Sequence, residues 1–235
     1  MKAVLDHTHD EAANIRTFFF RPETPMRYTA GQFTELYLPH KNADDRGEKR
    51  WFTLSSSPGD DLVTITTKYA GDDKTSSFKR TLFSLEPGAE VAMAEAMGSF
   101  VLPKLIQTPL LFVAGGIGIT PFHSILEWLA ASNETRPIQL IYGVRVEDEI
   151  VFTDTFDKAK VSPTIVVGEP SDAWGGEQGT LSAELILGLG KPGDDTLIYL
   201  SGPEVMIQNL QKDLQKNGIP RDRIVTDEFP NYDAI

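Results

Sequence analysis

Leu110, Leu111, Phe112, Val113 and Ala114 form an unbroken apolar run that ends directly on Gly115-Gly116-Ile117-Gly118-Ile119-Thr120-Pro121. A continuous run suits a parallel strand buried on both faces, because a strand with one wet face alternates apolar and polar residues. A helix follows. Thr120 is the expected N-cap and Pro121 fits the first helical position, while Phe122, Ile125, Leu126 and Leu129 recur at i, i+3, i+4 and i+7. A glycine turn between strand and helix presents free backbone N–H groups and the positive end of the helix dipole to an anion. No Gly-Lys-Ser/Thr follows, so this is not a Walker A loop. Two uses stay open from these residues alone: an anion cradle, or close packing of the helix on the strand.

Further apolar runs at 138–144, 164–167 and 197–200 alternate with helical segments near 153–160, 182–187 and 203–217. Met206, Ile207, Leu210 and Leu214 share one face of the last segment, and Gly218 stops it. This alternation marks βαβ units on a parallel sheet. Upstream the pattern differs. Short β-type runs at 15–20, 33–38, 51–54, 62–69 and 90–93 are punctuated by Ala30-Gly31, Pro58-Gly59-Asp60 and Pro87-Gly88. These runs predict a small N-terminal antiparallel β-barrel or sandwich over 1–103, and the alternation predicts a C-terminal α/β parallel-sheet nucleotide-binding domain over 104–235, with the boundary near Pro103. Residues 1–11 read as a polar arm.

Composition removes several chemistries. The chain has no cysteine, which rules out thiolate zinc sites, thiolate-ligated iron–sulfur clusters, disulfides and a cysteine nucleophile within it. Its 22 basic and 34 acidic residues give a formal charge of −12, which weighs against nucleic acid or an anionic membrane as the main partner. No apolar run approaches a membrane span, and the N-terminus lacks an apolar core of signal-peptide type, so a cytoplasmic location is expected. His7, His9, His40 and His123 have no metal-binding spacing, and no Gly-x-Ser-x-Gly elbow occurs.

The run Arg50-Trp51-Phe52-Thr53-Leu54-Ser55-Ser56-Ser57-Pro58 joins a cation, two aromatics and four hydroxyls. Strand alternation sets Arg50, Phe52 and Leu54 on one face and Trp51, Thr53 and Ser55 on the other. By itself the run also fits an exposed strand whose aromatics cover a barrel. Together with the glycine turn, however, Arg50-x-Phe52-Thr53-x-x-Ser56 resembles the flavin signature of the ferredoxin–NADP reductase family. Tyr28-x-Ala30-Gly31-Gln32-Phe33, Ser76-Ser77-Phe78, Leu85-x-Pro87-Gly88, Gly98-x-Phe100, Ser201-Gly202-Pro203 and Asp227-x-Phe229-x-x-Tyr232 are similar to further family segments, in the same order.

The resemblance implies FAD on the barrel and NAD(P)H on the second domain. Arg50 would hold the FAD pyrophosphate, Phe52 would lie against the flavin without the family's usual phenol, and Thr53 would face flavin N5. Ser76 or Ser77 would also serve the pyrophosphate, and simple N-capping fits them equally. Trp51, Thr66, Thr67 and Lys68 are implied as further cofactor-binding residues. Gly115, Gly116, Gly118 and Thr120 would cradle the nicotinamide nucleotide, with Thr120, Pro121, Gly202 and Pro203 near the nicotinamide. Ser201 stands where the family usually has cysteine, implying slower or altered hydride transfer. Phe229 or Tyr232 would cover the flavin. Thr53, Ser201 and Phe229 are thus the implied catalytic residues. Arg145 would pair with a 2′-phosphate and Glu147 or Asp148 with a 2′-hydroxyl, leaving NADPH and NADH open.

The implied function is electron transfer between NAD(P)H and a separate one-electron carrier such as ferredoxin or flavodoxin, docked on Lys49, Arg50, Lys68, Lys74, Lys79 and Arg80. Reduction of free flavin or ferric chelates, service to an oxygenase, and a non-catalytic nucleotide-binding subunit or sensor are the alternatives.

Overall fold

The computed structural model describes residues 1–45, 47–71 and 75–227. Its first half is an antiparallel sheet of β1 (Lys2–Ala12), β2 (Ile15–Pro22), β3 (Phe33–Tyr37), β4 (Lys49–Thr53), β5 (Val63–Lys68) and β6 (Glu90–Met93), in the order β4-β3-β6-β1-β2-β5, with helix α1 (Ser77–Phe83) between β5 and β6. The sheet curls until its two edges meet. Ser55 N donates to Thr64 O at 2.8 Å, and Ser55 Oγ accepts from Thr66 N at 3.0 Å. Leu5, Phe18, Phe20, Leu36, Leu54 and Ile65 fill the interior, each contributing about 1.5–3 kcal/mol by leaving water.

The expected polar arm is instead an inner strand. β1 pairs with β2 along its length but with β6 only at Lys2, Ala3 and Val4. Only Ala3 and Leu5 of this strand are buried, and two register shifts against β2, between Leu5 and His7 and between Asp10 and Ala12, break its alternation. Beyond Leu5 the hairpin's outer face is wet, with His7 stacked on Phe19 at 4.1 Å. Too few apolar positions remained to announce the strand.

The second half holds β7 (Leu110–Gly115), α2 (Thr120–Ser132), β8 (Ile138–Val144), α3 (Thr153–Lys158), β9 (Thr164–Val167), β10 (Glu177–Gln178), α4 (Ala183–Gly190), β11 (Leu197–Ser201), α5 (Glu204–Lys216) and β12 (Ile224–Thr226). All pairs in this sheet are parallel, in the order β10-β9-β8-β7-β11-β12. The chain runs outward from β7 to β10 and then returns to β11 on the other side. The topological switch point, where open α/β sheets bind ligands, therefore lies between the carboxyl ends of β7 and β11.

Ile15, Ala30 and Phe100 from the first half join the core of the second. Phe100 meets Phe122 and Tyr199 edge-on, with centroids 5.5 and 5.1 Å apart. Across the same seam Ser124 Oγ donates to Ser56 O at 2.6 Å and Lys68 Nζ to Glu149 Oε1 at 2.5 Å. The two sheets thus share one interface, and the 116–119 turn contacts β5 within it. Among the described residues no helix is long and apolar enough to cross a membrane.

Candidate functional site

At the switch point Gly116–Ile119 forms a tight 3-10 turn before α2. Gly116 has φ +53° with open space where a Cβ would stand, whereas a Cβ on Gly118 would collide with the Ser201 carbonyl and the Gly202 nitrogen. The turn is open on one side and closed against β11 on the other. Thr120 is not the N-cap as expected. Ile119 takes that position, because the 3-10 turn already carries helical geometry into α2, and the Thr120 hydroxyl donates back to Ile117 O at 3.1 Å. Next to the turn, Ser201 Oγ donates to Asp227 Oδ2 at 3.0 Å, with both residues buried. Burial drives the Asp227 carboxyl up to about 7, and the Ser201 hydrogen bond only partly opposes this.

On the barrel side Arg50 is buried, with its side chain 5% exposed. Its Nη1 donates to the carbonyls of Lys49 at 2.5 Å and Gly47 at 3.3 Å, its Nη2 lies 3.6 Å from Asp44 Oδ1, and the guanidinium stands 5.3 Å from the Phe78 ring centre. The same Asp44 carboxylate accepts from Ser77 N at 2.7 Å through Oδ2. One carboxylate therefore rests between the arginine and the Ser77 amide, the partners that a phosphate oxygen would need. Ser77 Oγ accepts from Asp44 N and lies 2.9 Å from His40 Nε2. Ser76 caps α1, its hydroxyl accepting from Lys79 N at 3.2 Å.

The chain matches the family model described as Oxidoreductase NAD-binding domain over residues 112–212. It is 26% identical over 218 residues to NADH oxidoreductase HCR of Escherichia coli (strain K12), an alignment that covers 92% of this chain and 65% of that protein. It is 29% identical over 213 residues to the ferredoxin reductase component of 3-ketosteroid-9-alpha-monooxygenase from Mycolicibacterium smegmatis, covering 89% of this chain and 58% of that one. It superposes on a ferredoxin NADP+ reductase from Neisseria gonorrhoeae with bound FAD and NADP at a TM-score of 0.79, with 18% identity and 97% of each chain covered. The chain carries an oxidoreductase NAD-binding domain over 112–212 and has the fold of the ferredoxin NADP+ reductase. It spans less than two thirds of the two curated relatives.

Within this fold the anticipated residues fall into three groups. Gly115, Gly116, Gly118, Thr120, Pro121, Ser201, Gly202 and Pro203 meet at the switch point. Arg50, Ser76 and Ser77 meet at the start of α1 around Asp44. The Thr53 hydroxyl has no partner among the described residues, although the residue is only 7% exposed. The third group is turned to structural use. Phe52 is buried against Phe78, with ring centroids 6.0 Å apart, and Trp51 leans on Phe33 at 6.2 Å. Thr66 Oγ1 pairs with Thr17 Oγ1 at 2.8 Å, Thr67 is buried, and Lys68 is the bridge to Glu149. Phe229 and Tyr232 lie outside the described residues.

The cations expected to form a basic docking face are engaged within the protein. Lys49 pairs with Glu35 at 3.0 Å, and Lys79 Nζ and Arg80 Nη1 donate to the carbonyls of Lys68 and Thr75. Lys74 lies outside the described residues. Arg145, between Glu149 at 3.5 Å and Glu169 at 3.1 Å, is likewise shared between carboxylates.

Sequence reasoning left Asp44 and the Ser201–Asp227 pair unassigned. Both depend on long-range contacts that no local spacing signals. It also missed a separate cleft of about 420 Å³ between the sheets, lined in part by Ser57, Asp60, His123, Glu127 and Phe152. There Thr155 Oγ1 lies 2.6 Å from Glu127 Oε1 and 2.9 Å from His123 Nδ1. A hydroxyl has one proton and the Glu127 carboxylate only accepts, so His123 Nδ1 donates to Thr155 Oγ1. Burial lowers the imidazole to about 4, with the nearby Glu127 charge opposing and Lys158 assisting. No residue of the glycine turn lines this cleft.

Proposed function

We propose that the chain is an FAD-dependent oxidoreductase that moves electrons between NAD(P)H and a separate one-electron acceptor, with 1–103 carrying the flavin and 104–235 the nicotinamide nucleotide. The observation that supports this most is the arrangement around one seam: the glycine turn at the switch point touches β5, whose neighbour β4 carries Arg50 and Thr53. FAD held there would supply the conversion between a hydride's electron pair and single electrons. The protein's contribution is alignment. Arg50 and the Ser77 amide hold a phosphate in place of the Asp44 carboxylate, Thr53 offers its unpaired hydroxyl, and the 116–119 turn admits a pyrophosphate where side chains are missing.

This chain has no cysteine for an iron–sulfur cluster, so the acceptor lies outside these 235 residues, with ferredoxin or flavodoxin the first choice. The engagement of Lys49, Lys68, Lys79 and Arg80 within the protein favours a second class, a small acceptor such as free flavin or a ferric chelate.

The test is reconstitution with FAD followed by NADH- or NADPH-driven reduction of ferricyanide under nitrogen. We expect turnover that requires FAD, and Arg50→Ala to weaken FAD binding by about 10- to 100-fold, the range for losing a charged hydrogen bond. Failure of the wild-type chain to bind FAD would contradict the proposal.

A further inference from the structure

We propose, building on the redox function above, that the nucleotide site selects NADH over NADPH, and that Glu169 and Glu149 impose the choice by claiming Arg145. In a strand–glycine turn–helix unit the adenosine ribose reaches the carboxyl end of the next strand, where an acidic residue receives a free 2′-hydroxyl or an arginine receives a 2′-phosphate. Here that strand is β8, parallel to β7 and followed immediately by Arg145, Glu147, Asp148 and Glu149. The adjacent β9 ends in Val167, and Glu169 follows two residues later.

Arg145 is the one cation in the 145–149 segment that follows β8, and it is not held ready for a phosphate. Its Nη1 donates to Glu169 Oε2 at 3.1 Å and its Nη2 faces Glu149 Oε1 at 3.5 Å. Lys68 cannot substitute for it, because its ammonium is spent on the same Glu149 oxygen at 2.5 Å. Glu149 is fixed in place. Its side chain is 6% exposed, and although burial opposes its charge, the Lys68 hydrogen bond and the Lys68 and Arg145 charges together hold its carboxyl below the ordinary range. Glu147 is ionised too, lowered by its hydrogen bonds from Ser171, whose backbone amide donates at 2.8 Å.

Glu149 and Glu169 thus bracket Arg145, Glu149 also holds Lys68, and Glu147 and Asp148 follow β8 in the same short segment, so four carboxylates against two cations leave the rim of β8 and β9 with excess negative charge. The exposed Arg145–Glu169 pair is weak by itself and would open readily. The discrimination comes from the sum: a nearly dianionic 2′-phosphate must displace a carboxylate from Arg145 and enter a rim of net negative charge. A 2′-hydroxyl meets no such field and donates to a carboxylate that only accepts.

The test compares kcat/KM for NADH and NADPH in ferricyanide reduction by the FAD-loaded full chain, alongside calorimetric Kd values for NAD+ and NADP+. We expect NADH to be favoured by about tenfold or more, chiefly in KM, with the ratio shrinking as salt rises from about 20 mM to about 500 mM because exposed charges are screened. Glu169→Arg should shift the ratio toward NADPH by about tenfold, and Glu169→Gln should shift it less. Equal or better use of NADPH, or a ratio indifferent to salt, would overturn the inference while leaving the redox function standing. If neither nucleotide reduces the bound flavin, the redox function fails instead, and the Kd values still decide: tighter NAD+ supports the selectivity and tighter NADP+ overturns it.

Discussion

The two halves of the site prepare for a ligand by different means. At the switch point the nucleotide side is shaped by backbone: Gly116 leaves space, and Gly118 lets the turn lie against Ser201 and Gly202. On the barrel side the groups are side chains, and the protein already occupies them, with Asp44 between Arg50 and the Ser77 amide. A backbone cradle is ready before its ligand arrives. A side-chain cradle occupied by its own carboxylate must exchange partners, so its affinity is the difference between two sets of charged hydrogen bonds.

The largest effect should come from breaking the backbone cradle. Gly118→Val places a side chain against the Ser201 carbonyl and Gly202 nitrogen, which cannot rotate away. We expect a loss of about 1–3 kcal/mol in thermal unfolding and a fall in nucleotide-driven flavin reduction of about 100-fold or more, from displacement of the turn. Loss of reduction with unchanged NAD+ affinity would mean that the turn does not bind the nucleotide.

The next effect sharpens the contrast, because Asp227 is a side chain placed beside the backbone cradle. Its folded value of about 7 exceeds its ordinary 3.8, so between those values the folded state binds more protons than the unfolded state. Stability must therefore fall as pH rises from about 4 to about 7, by up to about 4 kcal/mol from this group, and Asp227→Asn should flatten that fall. Urea unfolding at a series of pH values checks it, and an unchanged slope in the variant would refute the assignment. The smallest effect belongs to the barrel. Asp44→Asn should tighten FAD binding by a few-fold, about the worth of a long, partly buried ion pair, measured by flavin fluorescence quenching. Weaker binding would show that Asp44 supports the site rather than occupying it.

How much of this was legible in the sequence follows the same division. The glycine turn, the buried β7 and the helix after it were readable because backbone shape and burial leave local marks: glycine, an unbroken apolar run, a period of 3.6. The β8 and β11 strands and the α4 and α5 helices were readable for the same reason. Strand β1 was not, since only Ala3 and Leu5 face the interior and its pairing comes from β2 and β6. The motif around Arg50 was visible, yet the partners of its members were not. Ser56, for example, spends its hydroxyl on Thr64 N at 3.0 Å and Tyr28 at 2.8 Å, holding the segment after β4 to β5. Asp44 lies 33 residues from Ser77 and Asp227 lies 26 from Ser201, and no local pattern reports such pairings.

The central claim, that a flavin on the barrel exchanges electrons with a nucleotide at the glycine turn, is tested most directly by anaerobic titration of the FAD-loaded chain with NADH, followed through the flavin absorbance. The account predicts bleaching of the bound flavin near one equivalent of NADH, with Gly118→Val retaining the bound-flavin spectrum but resisting reduction. A bound flavin that stays oxidised in excess NADH and NADPH would contradict it.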